Sequence, residues 1–236
     1  MTISCISDLH GYLPPYPNEW WGDLQSCEIL CICGDIFPLY IQTNMAESKK
    51  WLLEKFKPWA ADLPVEKILF IGGNHDFFCE RLKKDMFHWF SKHDKVTYLH
   101  NTGIDYISTQ DTKVYSIFGS PYCHQFGSWA FMRDEETLVK KFNEIPESLD
   151  ILITHDAPKL GTIGTILQPN KFNTGIDAGG EELAEAILKK KPRYVFSGHI
   201  HSGNHNLETI EGIKLANCSI LNENYQLYYN PLIIKI

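Results

Sequence analysis

The sequence predicts an α/β (α+β) fold built from two mixed β-sheets packed face to face, with helices on the outside. Three patterns predict it. Through the first half of the chain, short apolar runs alternate with amphipathic segments of helical period. From Gly203 onward, strand-like runs follow one another directly. Five of the apolar runs end in short polar blocks rich in Asp, Asn and His, and loops at the carboxyl ends of strands are where an α/β protein gathers side chains from distant parts of the chain.

Thr2–Ser7 is a short apolar strand, and Glu28–Cys33 (EILCIC) is a second whose lack of alternation marks burial on both faces. Cys31 and Cys33 alternate along it and so share a face, where core packing is favoured over a metal role. Met45–Trp59 reads as a helix, with Leu52, Phe56 and Trp59 at i, i+4 and i+7 and Pro58 at or beyond its end. Lys67–Ile71 is a third strand, and Arg81–Lys92 an amphipathic helix with Leu82, Met86, Trp89 and Phe90 on one side. Val96–Leu99, Gly103–Ser108 and Lys113–Gly119 are short strands. Asp134–Asn143 is a helix and Asp150–Thr154 a strand. Gly180–Lys191 is a helix with lysines in its last turn, where they suit the helix dipole, and Pro192 closes it. Arg193–Ser197, Asn204–Ile210, Ile213–Asn217, Gln226–Tyr229 and Leu232–Ile236 are the remaining strands, with a hairpin turn at Ile210-Glu211-Gly212-Ile213.

No Pro/Gly/Ser-rich linker, charge block or internal repeat divides the 236 residues, and the polar blocks run from residue 8 to residue 201. A cut anywhere between would split them, so residues 1–236 read as one domain. The net charge of -7 disfavours long nucleic acid, which calls for a basic face, but not a small nucleotide held through metal cations. The seven cysteines are an odd number and sit mostly in apolar runs, as buried thiols in a reducing compartment do. The first strand leaves no room for a signal peptide before Asp8, and no apolar run approaches the roughly 18 residues that span a bilayer. A cytoplasmic protein without a membrane partner is the expectation.

The five blocks are Asp8-Leu9-His10, Gly34-Asp35, Gly73-Asn74-His75-Asp76, Thr154-His155 and Gly198-His199-Ile200-His201. Asp supplies a hard anionic oxygen and His a borderline nitrogen, a mixture that suits manganese, iron, zinc or nickel better than calcium or magnesium. Alone, Asp8 with His10 reads as readily as a turn cap beside a surface histidine. Asp35 is equally a common turn residue, but a carboxylate there can bridge two cations about 3.5–4 Å apart. Asn74 offers a neutral carbonyl oxygen. His75 stands next to Asp76, and a carboxylate fixes the tautomer of an imidazole, which suits His75 to donate to a phosphoester. His155, His199 and His201 end two buried strands. Of the other histidines, His88 and His93 read as helix-surface residues, whereas His124 and His205 fall near the blocks.

In this order the blocks resemble the calcineurin-like metallophosphoesterase superfamily, whose pattern is Asp-x-His, Gly-Asp, Gly-Asn-His-(Asp/Glu), His and Gly-His-x-His. The resemblance spans nearly the whole chain and implies a four-layer α/β/β/α sandwich. It also implies two metal ions, manganese first among the candidates. One would take Asp8, His10, Asp35 and His201, and the other Asp35, Asn74, His155 and His199. His75 would assist the leaving group or stabilise the phosphorane, with Asp76 behind it. Gly119-Ser120-Pro121-Tyr122, Phe126-Gly127, Trp129-Ala130-Phe131 and Asn217-Cys218-Ser219 look like the small metallophosphoesterase-domain-containing branch, which includes cyclic-nucleotide phosphodiesterases. Asp156 departs from that branch, which usually has Gly there. The Gly34-Asp35-Ile36-Phe37-Pro38 block lacks the arginine of the protein phosphatases.

The expected activity is hydrolysis of small, cyclic or linear, nucleotide diesters by in-line attack of a water or hydroxide bridging the metals. Asn74 and His75 would also touch substrate, and Tyr12, Phe37, Tyr122 and Trp129 are candidates to stack on a base or aryl group, as readily as they are core or rim aromatics. A phosphomonoesterase or nuclease on the same site is the alternative, and a non-catalytic scaffold of the same fold is a third reading. Such scaffolds lose ligands, and here every expected ligand position holds a suitable residue.

Overall fold

The computed structural model describes residues 1–167 and 175–236. In it β1 (Thr2–Ile6), β2 (Ile29–Ile32), β3 (Lys67–Phe70) and β4 (Val96–Tyr98) run parallel and adjacent. Cys5, Cys31 and Leu69 stand in register across the first three. A second sheet is assembled from β5 (Thr102–Ile107) and β6 (Val114–Ser120), then, after the short pair β7 (Cys123–His124) and β8 (Met132–Arg133), from β9 (Ile151–Thr154), β10 (Tyr194–Ser197), β11 (Glu208–Ile210) and β12 (Ile213–Asn217). Its order is β11-β12-β10-β9-β6-β5, with only the two edge strands antiparallel to their neighbours. The last strand, β13 (Leu232–Lys235), returns antiparallel beside β1 and makes the first sheet mixed as well.

The sequence patterns explain the layers. Alternate residues of the buried strands face opposite ways. Ile3, Cys5, Cys31, Cys33 and Leu69 of the first sheet meet Ile117, Ile151, Ile153 and Phe196 of the second in one apolar layer. Their neighbours Leu30, Ile32, Ile68 and Phe70 face outward onto the helical segment of α1 (Met45–Trp51) and α2 (Lys57–Asp62), through Ala60 of α2 and through Leu52 and Phe56 of the turn that joins the two helices. On the far side Leu152, Val195 and Leu215 meet helices: after α3 (Phe77–Arg81) and α4 (Lys83–Trp89) come α5 (Glu135–Asn143) and α6 (Glu181–Lys190), which present Leu138, Phe142, Leu183 and Ile187. Helix, sheet, sheet and helix therefore stack as four layers. Among the described residues no helix is long and apolar enough to cross a membrane.

Besides β11, which covers only the last three residues of the expected strand Asn204–Ile210, three elements differ from expectation. The first helix does not stop at Pro58. A π-helical turn, Leu52–Phe56, lies between α1 and α2, with the Lys57 N–H bonding five residues back to the Leu52 carbonyl. That widened turn takes up the register change a mid-helix proline demands, so the helix continues to Asp62. The expected helix Arg81–Lys92 is the shorter α4, and an unexpected short helix, α3, precedes it directly after the Asn74-His75-Asp76 block, the two separated at Leu82. Gln226–Tyr229 forms no strand. The N–H groups of Tyr228 and Tyr229 both bond the Ile220 carbonyl, and only an isolated bridge pairs Leu221 with Leu227.

The hairpin turn is as expected, with Ile210 opposite Ile213 and Glu211 and Gly212 both at positive φ (49° and 83°). Gly212→Ala should destabilise the protein by about 1–2 kcal/mol, because a side chain enters a left-handed conformation in open space. The readout is a lower denaturant midpoint, and a change under a few tenths of a kcal/mol would contradict the turn.

Candidate metal centre

The carboxyl ends of β1, β2, β3, β9 and β10 converge on one edge of the sandwich, where the two sheets are stitched together. Ser7 bridges to Ser219, and the Ile220 N–H bonds the Ser7 carbonyl (3.0 Å). Asp8, His10, Asp35 and His199 all turn here at positive φ (57°, 42°, 52° and 69°). Such backbone costs about 1–3 kcal/mol per residue and persists only where the surroundings impose it.

Asp8 is buried between both sheets. Its carboxylate accepts the His199 N–H (3.0 Å) and the Ser219 hydroxyl (2.6 Å), and Oδ1 lies 3.3 Å from His201 Nε2. Asp35 accepts the His75 N–H on Oδ1 (2.7 Å). Its other oxygen, Oδ2, faces three imidazoles, with Nε2 of His155 at 3.4 Å, His10 at 3.7 Å and His75 at 4.0 Å. His199 lies beside His155, their ring centroids 5.2 Å apart.

The tautomers follow from the outer hydrogen bonds. Backbone carbonyls can only accept, so His155 donates from Nδ1 to Cys33 (2.8 Å) and His201 from Nδ1 to Asn222 (3.1 Å). In the neutral rings Nε2 then carries a lone pair. That of His155 faces Asn74 Oδ1 at 2.8 Å, and that of His201 faces His10 Nε2 at 3.4 Å. Lone pairs converging on lone pairs are what a bound cation requires. Asp8, His10 and His201 form one group of ligand atoms within 4.8 Å of one another, and Asp8, Asp35 and His155 form another. The donors are carboxylate, imidazole and amide oxygen, with no thiolate, which fits divalent transition metals.

The same field governs the protons. Burial alone would depress His155 and His201, but Asp35 and Asp8 overrule it and raise them to about 10 and about 9. His10 and His199 are pushed down to about 4, chiefly by burial. Burial pushes Asp35 up, yet the facing histidines, His155 first, hold it well below the usual carboxylate range.

Residues 1–203 match the family described as calcineurin-like phosphoesterase. The chain belongs to that family. It is similar to metallophosphoesterase domain-containing protein 1 of Homo sapiens and of Mus musculus, each 29% identical over 98% of this chain and 70% of theirs. Its fold is that of TT1561 of Thermus thermophilus (TM-score 0.60, 13% identity, 92% of this chain and 88% of that one) and of phosphopantetheinyl hydrolase from Mycobacterium tuberculosis (TM-score 0.55, 14% identity, 95% and 90%). The family implies two divalent metals, and the Asp, Asn and His side chains above would hold them.

Above these residues opens a cleft of about 310 Å³ lined by Asp35, Asn74, His75, His199 and His201, with Phe126, Trp129, Glu223 and Tyr225 at its rim. Of the aromatic candidates Trp129 lines it, its ring 4.7 Å from His75. Three other aromatic expectations are corrected. Phe37 is fully buried against Trp51 and Phe78. Tyr122 is buried too, beside Phe131 and bonded to His100 Nε2 (3.3 Å). Both rings serve the core, since the loops that carry them pack against buried aromatic side chains. Tyr12 is exposed, but on the loop beyond His10 and outside the cleft lining.

Asp76 is corrected as well. Its carboxylate does not touch His75. It accepts the N–H groups of Ile36 (3.0 Å), Phe37 (3.1 Å) and Gly73 (2.8 Å), and so ties the loop after β2 to the loop after β3. His75 Nδ1 instead meets Gln42 Oε1 at 2.6 Å. Gln42 carries no motif, so only the fold reveals it. Tyr225, likewise outside any block, sets its ring 4.9 Å from His10 and 5.3 Å from His201. The unexpected Asp156 is fully buried and bonded to the Nδ1 and backbone N–H of His124 (2.9 and 3.0 Å). His205 bonds the His201 carbonyl (3.0 Å) and stacks on Tyr229.

A methyl group on Gly73 would sit 2.3 Å from Asp35 Oδ1 and 2.6 Å from the His155 ring. Gly73→Ala should therefore weaken metal binding by at least about tenfold while the protein stays folded, by analogy with losses at residues that orient ligands. Calorimetric titration with zinc would show it, and unchanged affinity would contradict the packing.

For chelator-treated protein the raised pKa values give a stability contribution that is fully present below about 6.5 and is lost as pH rises through about 9 (His201) and about 10 (His155). The depressed His10 and His199 are neutral in both folded and unfolded states over that range. Thermal midpoints should accordingly fall between about pH 7 and about pH 10, and fall less in metal-loaded protein, where the cation replaces the proton. Equal slopes would speak against shared ligands.

Proposed function

We propose that this phosphoesterase is a two-metal phosphodiesterase for small nucleotide-like diesters, cyclic or linear, with manganese as its working metal. The observation that carries the reading is Asp35 Oδ2, which faces imidazoles from three separate blocks (His10, His75 and His155) directly beneath the cleft. Such a shared carboxylate suits a metal pair, which when bound supplies an activated water and clamps the phosphoryl oxygens.

The chain's own residues provide the rest. Asp8, His10, Asp35 and His201 would hold one metal, and Asp35, Asn74, His155 and His199 the other. His75 stands at the cleft wall with Nε2 4.0 Å from Asp35 Oδ2, in place to hydrogen-bond the departing ester oxygen. Phe126, Trp129 and Tyr225 are 54%, 39% and 48% exposed around the cleft, free to stack on a planar group attached to the phosphate. Glu223 at the rim disfavours a polyanion, which supports a small diester over a nucleic-acid chain. Seven free cysteines, all buried, support a reducing, cytoplasmic setting.

The test compares bis-para-nitrophenyl phosphate with para-nitrophenyl phosphate under manganese. The diester should be preferred, and Asn74→Ala should lower kcat/KM by about a hundredfold or more, as loss of a metal ligand does. Monoester preference would redirect the assignment to a nucleotidase-type reaction. Undiminished turnover in Asn74→Ala and Asp35→Ala would reject the site.

A further inference from the structure

We infer that Gln42 is the positioning residue for His75, taking the place in which a carboxylate neighbour was expected. The inference rests on the reading that His75 works at the phosphoester. Gln42 Oε1 lies 2.6 Å from His75 Nδ1, the one hydrogen bond the His75 ring makes among the described residues. An amide oxygen accepts, so the contact holds a proton on Nδ1 and turns Nε2, the atom that serves the ester oxygen when it carries a proton of its own, toward Asp35 and the cleft.

The backbone around Gln42 is built to hold that contact. Ile41 is buried in the core beneath it. The Ile41 carbonyl accepts both the Asn44 N–H (2.8 Å) and the hydroxyl of fully buried Ser48 (2.9 Å), and the Ile41 N–H bonds the Pro38 carbonyl (3.1 Å). Asn44 in turn caps α1 through the N–H groups of Ala46 and Glu47. The segment between Asp35 and α1 is therefore fixed at both ends, whereas Tyr40 within it is 86% exposed. Asp76, the residue adjacent to His75, has its carboxylate occupied by three backbone N–H groups and is unavailable for the same task. The His75 ring also packs against Trp129 at a tilt (centroids 4.7 Å apart) and edge-on against His10 (5.1 Å), so Gln42 supplies the hydrogen bond within an aromatic setting that limits the ring's other freedom.

An amide differs from a carboxylate as an orienting group. It fixes direction and tautomer without adding negative charge beside a centre that already holds Asp8 and Asp35. The effect of Gln42 should thus appear in the rate of the step that His75 serves and not in substrate or metal affinity.

The decisive measurement combines kinetics with nitrogen NMR. In zinc-loaded protein labelled with ¹⁵N-histidine, with the His75 signals assigned through His75→Asn, the wild type should show His75 protonated at Nδ1. Gln42→Ala should lose that preference at unchanged zinc affinity, and Gln42→Glu, which keeps the reach and the acceptor, should restore it. On aryl phosphodiesters of graded leaving-group acidity, Gln42→Ala should lower kcat by about tenfold with KM nearly unchanged, and more for poor leaving groups than for para-nitrophenol. In a His75→Ala background the same substitution should cost less than about twofold, because a residue acting only through His75 has nothing left to act on. An equal loss in both backgrounds, or an unchanged His75 tautomer in Gln42→Ala, overturns the inference. If wild-type protein turns over no diester at all, the proposed function fails on its own, and the tautomer alone decides the role of Gln42.

Discussion

Asp8 and Asp35 carry two carboxylates into the interior, at 0% and 1% exposure, and each combines N–H or O–H donors from the protein with an oxygen that faces imidazole. Asp8 receives the His199 N–H and the Ser219 hydroxyl, and Asp35 the His75 N–H. Asp8 Oδ1 and Asp35 Oδ2 meet Nε2 of His201 and His155, whose Nδ1 protons are directed away toward the carbonyls of Asn222 and Cys33. Burying a carboxylate is costly unless it is paired. Here the pairing must come from a cation, as proton or metal, and this requirement organises the whole edge of the sandwich.

That requirement explains why the two sheets meet as they do. Asp8 belongs to the first sheet, but both of its donors belong to the second, so the carboxylate and the Ser7–Ser219 bridge hold the sheet ends at one fixed separation. Four of the residues involved adopt positive φ. Their strain is tolerable because the strands behind them are fully buried and cannot relax, Ile6, Ile32 and Phe196 among them. The core stabilises the fold and also sets the aim of the side chains at its edge.

Around this centre the polar residues divide their tasks. Asp76 binds backbone and holds two loops together, Gln42 meets the His75 ring, and Asp156 engages His124. Asp76 and Asp156 thus have separate donors, while Asp35 holds the His75 N–H and faces its ring. The aromatic rim of Phe126, Trp129 and Tyr225 comes from segments outside the parallel strands, so the cleft wall can vary without disturbing the ligands below it.

The strands were legible in the sequence because burial on both faces leaves unmistakable apolar runs, and the polar blocks because each ends such a run. Cys31 and Cys33 share a face as their period implied, and the fold makes that face the inter-sheet one. The sequence by itself determined the family pattern, the two mixed sheets and the set of Asp, Asn and His residues. It did not determine what the neighbours of those residues do. Adjacency along the chain suggested Asp76 for His75, yet successive residues in a tight turn point apart, and the contact went to Gln42, distant in sequence. Aromatic side chains near the blocks looked alike in the sequence, and only packing sent Phe37 and Tyr122 inward and left Trp129 and Tyr225 at the cleft. The π-helical turn before Pro58 was equally invisible, since it answers a packing demand that the rest of the chain imposes. Local periodicity reports which way a residue faces. Which partner it finds there depends on long-range contacts, and those only the tertiary structure decided.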